Sequence, residues 1–267
     1  MSPDDLDRAR DLAVRAAVEG GRVLLEAWRS GREAGGPARD VREKASGDYV
    51  TELDRRSESA IGGFLRNQAP DVPMVGEELG GERSGRFWLV DPLDGTTNFF
   101  HGLPVFGVSV ALVEAGQPVA GAVHAPVLGF TCSVARGRGA MADGRPARVS
   151  SRDPATAVVA TGFPFRDKDR LPEYERLFRP ALRRFEDLRR PGAACLDLAW
   201  VAAGILDGFF ELGLSAWDVA AGALLVQEAG GVVTDWGGGP DYLAGDILAG
   251  SPAVHATLLE IARDPRP

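Results

Sequence analysis

Four acidic residues at the edges of regular segments carry the chemical interest of this chain: Glu77, Asp91, Asp94 and Asp218. Asp91 closes the apolar run 87–90, where an unpaired charge is costly. Asp94 follows Pro92 and Leu93, so a tight turn can aim both carboxylates at one point. Two such groups repel unless a cation lies between them. Hard divalent ions take oxygen ligands, and Mg²⁺ keeps waters and substrate phosphate oxygens in its shell. Taken alone, Asp94 reads better as a turn former. Gly95, Thr96 and Thr97 come next. A turn of that kind, opening into a short helix, offers backbone N–H groups and hydroxyls to an anion. Cation ligands beside an anion cradle point to a phosphate as substrate.

Glu77 and Glu78 follow a short apolar strand and precede a glycine turn; paired acids there usually belong to a solvated loop. Asp218 heads a helical stretch, where a lone Asp would be an N-cap. Trp217 reads as core or wall. If the four acids converge, they make a two- or three-metal site. Ions about 3.5–4 Å apart stabilise the attacking and leaving oxygens of an in-line displacement.

The elements that must position these residues are legible from periodicity. Residues 4–29 have apolar positions near helical spacing and read as an amphipathic helix. Residues 30–48 are rich in glycine and charge and read as a loop or a ragged hairpin. A second helix is read from "YVTELDRRSESAIGGFLRNQAP", with Thr51 as N-cap and Asp54 three residues on. Short apolar runs bounded by Gly or Pro then read as strands, and Asp143-Gly144 as a hairpin turn. From about residue 155 the pattern alternates between strand and helix and ends in a helix opened by Ser251-Pro252. This describes a layered α/β protein in two halves. Residues 1–150 carry the metal and phosphate motifs, and residues 151–267 the last acid. No linker separates them, so they are treated as one compact unit.

Composition narrows the function. The chain has 267 residues and a formal net charge of −8. An acidic balance argues against direct nucleic-acid binding and suits the binding of cations. The two cysteines, Cys132 and Cys195, form no CxxC pair and no disulfide framework, which fits a reducing cytoplasm. No apolar run reaches the roughly 20 residues of a membrane span, and the N-terminus lacks the apolar core of a signal peptide. A cytoplasmic protein is expected.

The stretches "GEE" (76–78), "DPLDGTTNF" (91–99) and "WDVAAGALLVQEAGG" (217–231) resemble the signature motifs of the inositol monophosphatase family, in its bacterial inositol-1-monophosphatase branch. "GDYVTELD" (47–54), "TGFPF" (161–165) and "DGFFELGL" (207–214) extend the likeness over nearly the whole chain. The resemblance implies an αβαβα sandwich of the sugar-phosphatase type, a homodimer, lithium sensitivity, and hydrolysis of inositol 1-phosphate assisted by two or three Mg²⁺ ions. It places one ion on Glu77, Asp91 and the Leu93 carbonyl, a second on Asp91, Asp94 and Asp218, and a weaker third near Glu77. Thr96, paired with Asp54, would orient the attacking water, and the amides of Gly95 and Thr96 would hold the phosphate. Gly192, Ala193 and Ala194 would wall the sugar side, and Glu211 and Asp94 would bond inositol hydroxyls.

Related families act on histidinol phosphate, fructose 1,6-bisphosphate or 3′-phosphoadenosine 5′-phosphate, and Arg189 and Arg190 could meet a second anionic group. Glu211 favours a polyol, because a carboxylate accepts hydroxyl hydrogen bonds and repels a second phosphate. A different class of function, a partner of the transcription or RNA machinery, also occurs among bacterial relatives. Ala193, where relatives often carry Ser or Thr, and Cys195, where they often carry Ala, bear on the substrate and not on the metal chemistry. His101, His124 and His255 are expected to be structural or loop residues.

Overall fold

The computed structural model describes residues 1–33, 41–45 and 48–264, the side chains of 32–51 apart. The chain opens with helix α1 (Pro3–Glu33). A hairpin of β1 (Val41–Ala45) and β2 (Asp48–Thr51) follows, pairing antiparallel with one register shift. Helix α2 (Glu52–Gln68) begins at once, so Tyr49, Val50 and Thr51 belong to a strand and not to the helix. The side chain of Thr51, on which its proposed capping role rests, lies outside the described residues.

A seven-stranded sheet is then built in near-sequential order. It contains β3 (Met74–Gly76), β4 (Arg86–Asp94), β5 (Gly107–Glu114), β6 (Gln117–Ala125), β7 (Phe130–Ala135), β8 (Ala140–Ala142) and β9 (Arg145–Pro146). Helix α3 (Thr96–His101) interrupts it after β4. Only β3 and β4 pair in parallel; the others are antiparallel. Asp143 and Gly144 form the two-residue turn between β8 and β9, both with positive φ, as this hairpin type requires.

The second sheet has the order β11-β10-β12-β14-β13. Its strands are β10 (Val158–Thr161), β11 (Asp187–Arg189), β12 (Gly208–Glu211), β13 (Val232–Thr234) and β14 (Ile247–Gly250). Helices α4 (Leu171–Arg184), α5 (Ala194–Ala202), α6 (Ala216–Glu228) and α7 (Pro252–Arg263) alternate with them. β14 escapes the sequence reading. It is four residues long and buried throughout, so it shows no alternation between a wet and a dry face. It runs antiparallel to both β12 and β13, which makes the sheet mixed.

The layers follow from which helix faces which sheet. α1 and α2 cover one face of the large sheet, and α5 and α6 lie between the two sheets. α4 and α7 cover the far side of the small sheet. Three apolar cores fill the spaces between these five layers, giving the αβαβα sandwich. Residues 218–226 of α6 are buried all round, because that helix has a sheet on each side. α1 shows one apolar stripe, with Ala9, Ala13, Ala16, Ala17 and Leu24 buried. Among the described residues no helix is long and apolar enough to cross a membrane.

Candidate active site

The edge where β3, β4, α5, β12 and α6 meet holds a cavity. Its lining includes Glu77, Asp91, Leu93, Asp94, Gly95, Thr96, Gly192, Ala194, Glu211 and Asp218. Asp218 is therefore brought to the same place as Glu77, Asp91 and Asp94, more than a hundred residues before it in the sequence.

β4 delivers two of them through a bulge. Asp91 pairs with Ser109 and Asp94 with Gly107, so three steps on β4 match two on β5. A bulge of this kind bends a strand and re-aims its side chains, and it tolerates Pro92. Asp91 Oδ1 accepts the Leu93 N–H at 2.9 Å. Asp94 Oδ2 accepts the Cys195 N–H at 2.6 Å, tying the large sheet to the first turn of α5. Glu77 follows β3, and its N–H donates to Val90 O at 3.2 Å. Asp218 is not the N-cap of α6. Ser215 is the cap, and Asp218 stands at N3, where its Oδ2 accepts the Ser215 N–H at 2.7 Å.

Electrostatics record the crowding. Burial pushes the Asp91 carboxyl well above the ordinary range, and the charges of Glu77, Asp94 and Asp218 push it further. A hydrogen bond between the Asp91 and Asp218 side chains acts in the same direction. Asp94 is raised to about 7, by burial first and then by Asp218. Carboxyls forced together in this way call for either a proton or a cation. Among the described residues no group of three or more His, Cys, Asp or Glu side chains stands in metal-ligand geometry. The donor chemistry nevertheless fits a hard divalent cation, being oxygen only and anionic.

Beside the acids, Gly95 caps α3 with φ of 90°. A Cβ there would also stand 2.9 Å from Val105 O, so glycine is required on both counts. The Thr96 hydroxyl donates to the Leu93 carbonyl at 3.0 Å. A carbonyl oxygen has two lone pairs, so Leu93 O retains acceptor capacity. Asn98 Nδ2 donates to Val105 O at 2.7 Å and Pro191 O at 2.8 Å, fastening α3 to the loop that carries Gly192.

On the opposite wall stands Glu211, the last residue of β12. Burial raises it to about 8; Asp94 adds to this and Arg190 opposes it. A Cβ on the buried Gly162 would coincide with the Glu211 carboxyl, so the glycine of "TGFPF" makes room for that side chain. Of the expected sugar-side residues, Gly192 and Ala194 line the cavity. Ala193 does not: it is 1% exposed and caps α5 from behind. Asp54 is buried on α2 and is likewise absent from the lining.

Three charged residues went unrecognised in the sequence. Arg166 lines the cavity with Arg190, and both guanidiniums lie over the Phe165 ring, at 5.5 and 5.7 Å. The signal was a cation directly after "TGFPF". Asp197 is buried on α5, and its Oδ1 has no hydrogen-bond partner. Burial, then Glu211 and Asp94, hold its carboxyl well above the ordinary range. Glu58 is buried on α2. The histidines are structural or peripheral. His124 Nδ1 and His255 Nε2 each lie 2.9 Å from a threonine hydroxyl, and His101 is exposed at the end of α3. Cys195 is fully buried, which pushes its thiol well above the ordinary range; a thiolate nucleophile is disfavoured there.

Comparison with known proteins gives a consistent result. The profile of the inositol monophosphatase family matches residues 5–265. The chain is 48% identical over 228 residues to the "Nus factor SuhB" of Pseudomonas aeruginosa, covering 82% of this chain and 84% of the relative. It is 41% identical over 260 residues to an "Inositol-1-monophosphatase" of Mesorhizobium japonicum, covering 96% of each. The crystal structure of the extragenic suppressor protein suhB from Bartonella henselae superposes with a TM-score of 0.89 at 38% identity, over 96% of this chain and 98% of that one.

Proposed function

The chain belongs to the inositol monophosphatase family, and on that premise we propose that it is a Mg²⁺-dependent phosphomonoesterase acting on inositol 1-phosphate. The observation that carries this reading is the single cavity lined by Glu77, Asp91, Asp94 and Asp218 together with Gly95 and Thr96. Glu77, Asp91 and the Leu93 carbonyl would hold one ion. Asp91, Asp94 and Asp218 would hold a second, and a weaker third would sit near Glu77. Bound there, Mg²⁺ supplies Lewis acidity and a more acidic water.

The chain's own residues do the rest. The amides of Gly95 and Thr96 hold the phosphate oxygens. Thr96, paired with Asp54, orients the water whose oxygen attacks phosphorus as the bond to the inositol oxygen breaks and that oxygen takes up a proton. Glu211 and Asp94 accept hydrogen bonds from ring hydroxyls, and Gly192 and Ala194 shape the sugar side. Transfer of this kind needs mainly positioning and charge stabilisation, so no protein nucleophile is invoked. Inhibition by Li⁺, a homodimer and a cytoplasmic location belong to the same reading.

A Mg²⁺-dependent panel of inositol 1-phosphate, histidinol phosphate, fructose 1,6-bisphosphate and 3′-phosphoadenosine 5′-phosphate tests the substrate. The highest kcat/KM is expected for inositol 1-phosphate; a clear preference for any other member overturns that choice. A second reading is favoured by the relative named as a Nus factor: the chain serves the transcription machinery as a binding partner. An Asp94→Asn variant that is folded and inactive yet restores growth to cells lacking the protein would support it.

A further inference from the structure

Helix α2 contributes no residue to the cavity lining, yet it is fastened to both segments that carry the β-sheet acids. The Ser57 hydroxyl donates to the Pro92 carbonyl at 2.9 Å, within the buried Asp91–Asp94 bulge. The next residue, Glu58, accepts two backbone N–H groups on the other segment: Glu78 N–H at 2.8 Å and Leu79 N–H at 2.9 Å. Those are the two residues directly after Glu77. Their loop is closed further by the mutual hydrogen bonds of Gly76 and Gly80 at 3.0 and 3.1 Å. A Cβ on Gly76 would coincide with the Glu58 carboxylate, so the glycine admits the close approach. Glu58 and Ser57 are both fully buried.

A buried carboxylate carries a desolvation cost, and packing alone would be served by an apolar residue. The same helix buries Leu53, Ile61 and Leu65. Asp54, Ser57 and Glu58 interrupt that apolar face at i, i+3 and i+4, which places them side by side. Two backbone donors on one carboxylate make a rigid fork, and a hydroxyl one residue away grips the partner segment.

We infer that Glu58, assisted by Ser57, is a positioning residue that sets the separation between the Glu77 loop and the Asp91–Asp94 bulge, so that their carboxylates are arranged for a cation before it arrives. This rests on the metal-dependent reading above. The two residues touch neither substrate nor reacting atoms.

Mn²⁺ binding to the full-length, metal-stripped protein tests the inference, read by the EPR signal of free Mn²⁺ and without substrate. Glu58→Gln keeps the shape but turns an amide NH₂ toward one of the two N–H donors. It is expected to weaken the Mn²⁺ Kd about tenfold or more, the size of effect found when groups that orient metal ligands are removed. Ser57→Ala is expected to weaken it by about two- to threefold, since one hydrogen bond to one segment is lost. Circular dichroism confirms that each variant is folded. A Glu58→Gln protein that melts earlier but binds Mn²⁺ with the wild-type Kd overturns the inference, because a purely structural role moves only the melting temperature. If Glu58→Gln does not fold, Ser57→Ala decides: an unchanged Kd overturns the inference and a weakened one upholds it. A wild-type protein that binds no Mn²⁺ overturns the metal-dependent reading itself, a distinguishable result.

Discussion

Gly162→Ala separates binding of the sugar from the chemistry at phosphorus. Gly162 does not have a positive φ, so alanine can adopt its backbone without strain. The added methyl would occupy the place of the Glu211 carboxyl. What must move is the end of a side chain and not backbone, so the fold is expected to persist, while Glu211 leaves the wall of the cavity. Above about pH 8, where Glu211 is ionised, a hydrogen bond from a hydroxyl to its carboxylate contributes about 1.5–3 kcal/mol. At about 1.4 kcal/mol per decade, kcat/KM for inositol 1-phosphate should fall by roughly 10- to 150-fold. p-Nitrophenyl phosphate has no ring hydroxyls for Glu211 to accept, and its hydrolysis should stay within about twofold of wild type under the same scale. Steady-state phosphate and nitrophenolate release with saturating Mg²⁺ gives both numbers. Unchanged turnover of inositol 1-phosphate would refute the role of Glu211, and an equal fall for both substrates would refute the separation of sugar wall from metal chemistry.

Two further outcomes follow from the charges. Asp94 and Glu211 are raised to about 7 and about 8 in the folded chain, so between pH 5 and 8 these two groups bind more protons in the folded chain than in the unfolded one, while His124 and His255, lowered by burial, act the other way at the acid end. Stability then falls as pH rises. The metal-free protein should therefore melt earlier at pH 8 than at pH 5, and Mg²⁺, which favours the charged carboxylates, should raise the melting temperature more at pH 8. Scanning fluorimetry with EDTA and with Mg²⁺ checks this, and an equal Mg²⁺ effect at both values contradicts it. Asp207 is buried and anchors the start of β10, accepting the Val158 N–H at 2.7 Å and Arg152 Nη1 at 2.8 Å. Asp207→Ala leaves the Val158 N–H without its acceptor and should cost about 1–3 kcal/mol of stability in urea unfolding with kcat unchanged, since the residue lies outside the cavity lining.

The site was more legible in the sequence than the frame that holds it. Asp91, Asp94, Gly95 and Thr96 are consecutive or nearly so, and the conflict between a buried strand and two charges is visible without coordinates. Asp218 was placed at its helix start; its position at N3 rather than the N-cap was also legible, since Ser215 and Asp218 have the spacing of a capping box. β14 was missed because a short, doubly buried strand has neither period. Tyr49 and Val50 were drawn into α2 because the helical run beyond them is strong and the strand is four residues long, whereas the helix does begin directly after Thr51. Ala193 was expected on the sugar wall because the family resemblance carries it over together with Gly192 and Ala194; the turn into α5 puts its side chain behind Gly95, with its Cβ 3.2 Å from a Cβ built there. Arg166 could have been found as the cation directly after "TGFPF", but Glu58 and Asp197 act across long sequence separations, as Glu58 does on Leu79. A single sequence holds no record of such contacts.

The most direct measurement is phosphate release from inositol 1-phosphate by the EDTA-stripped protein during a Mg²⁺ titration, run in parallel for wild type and Asp94→Asn. Metal-assisted hydrolysis predicts no release without Mg²⁺, a saturable rise on its addition, and a loss of at least about a hundredfold in Asp94→Asn, the scale of removing one preorganised charge-stabilising group. Equal release without metal, or wild-type release by Asp94→Asn, would contradict it.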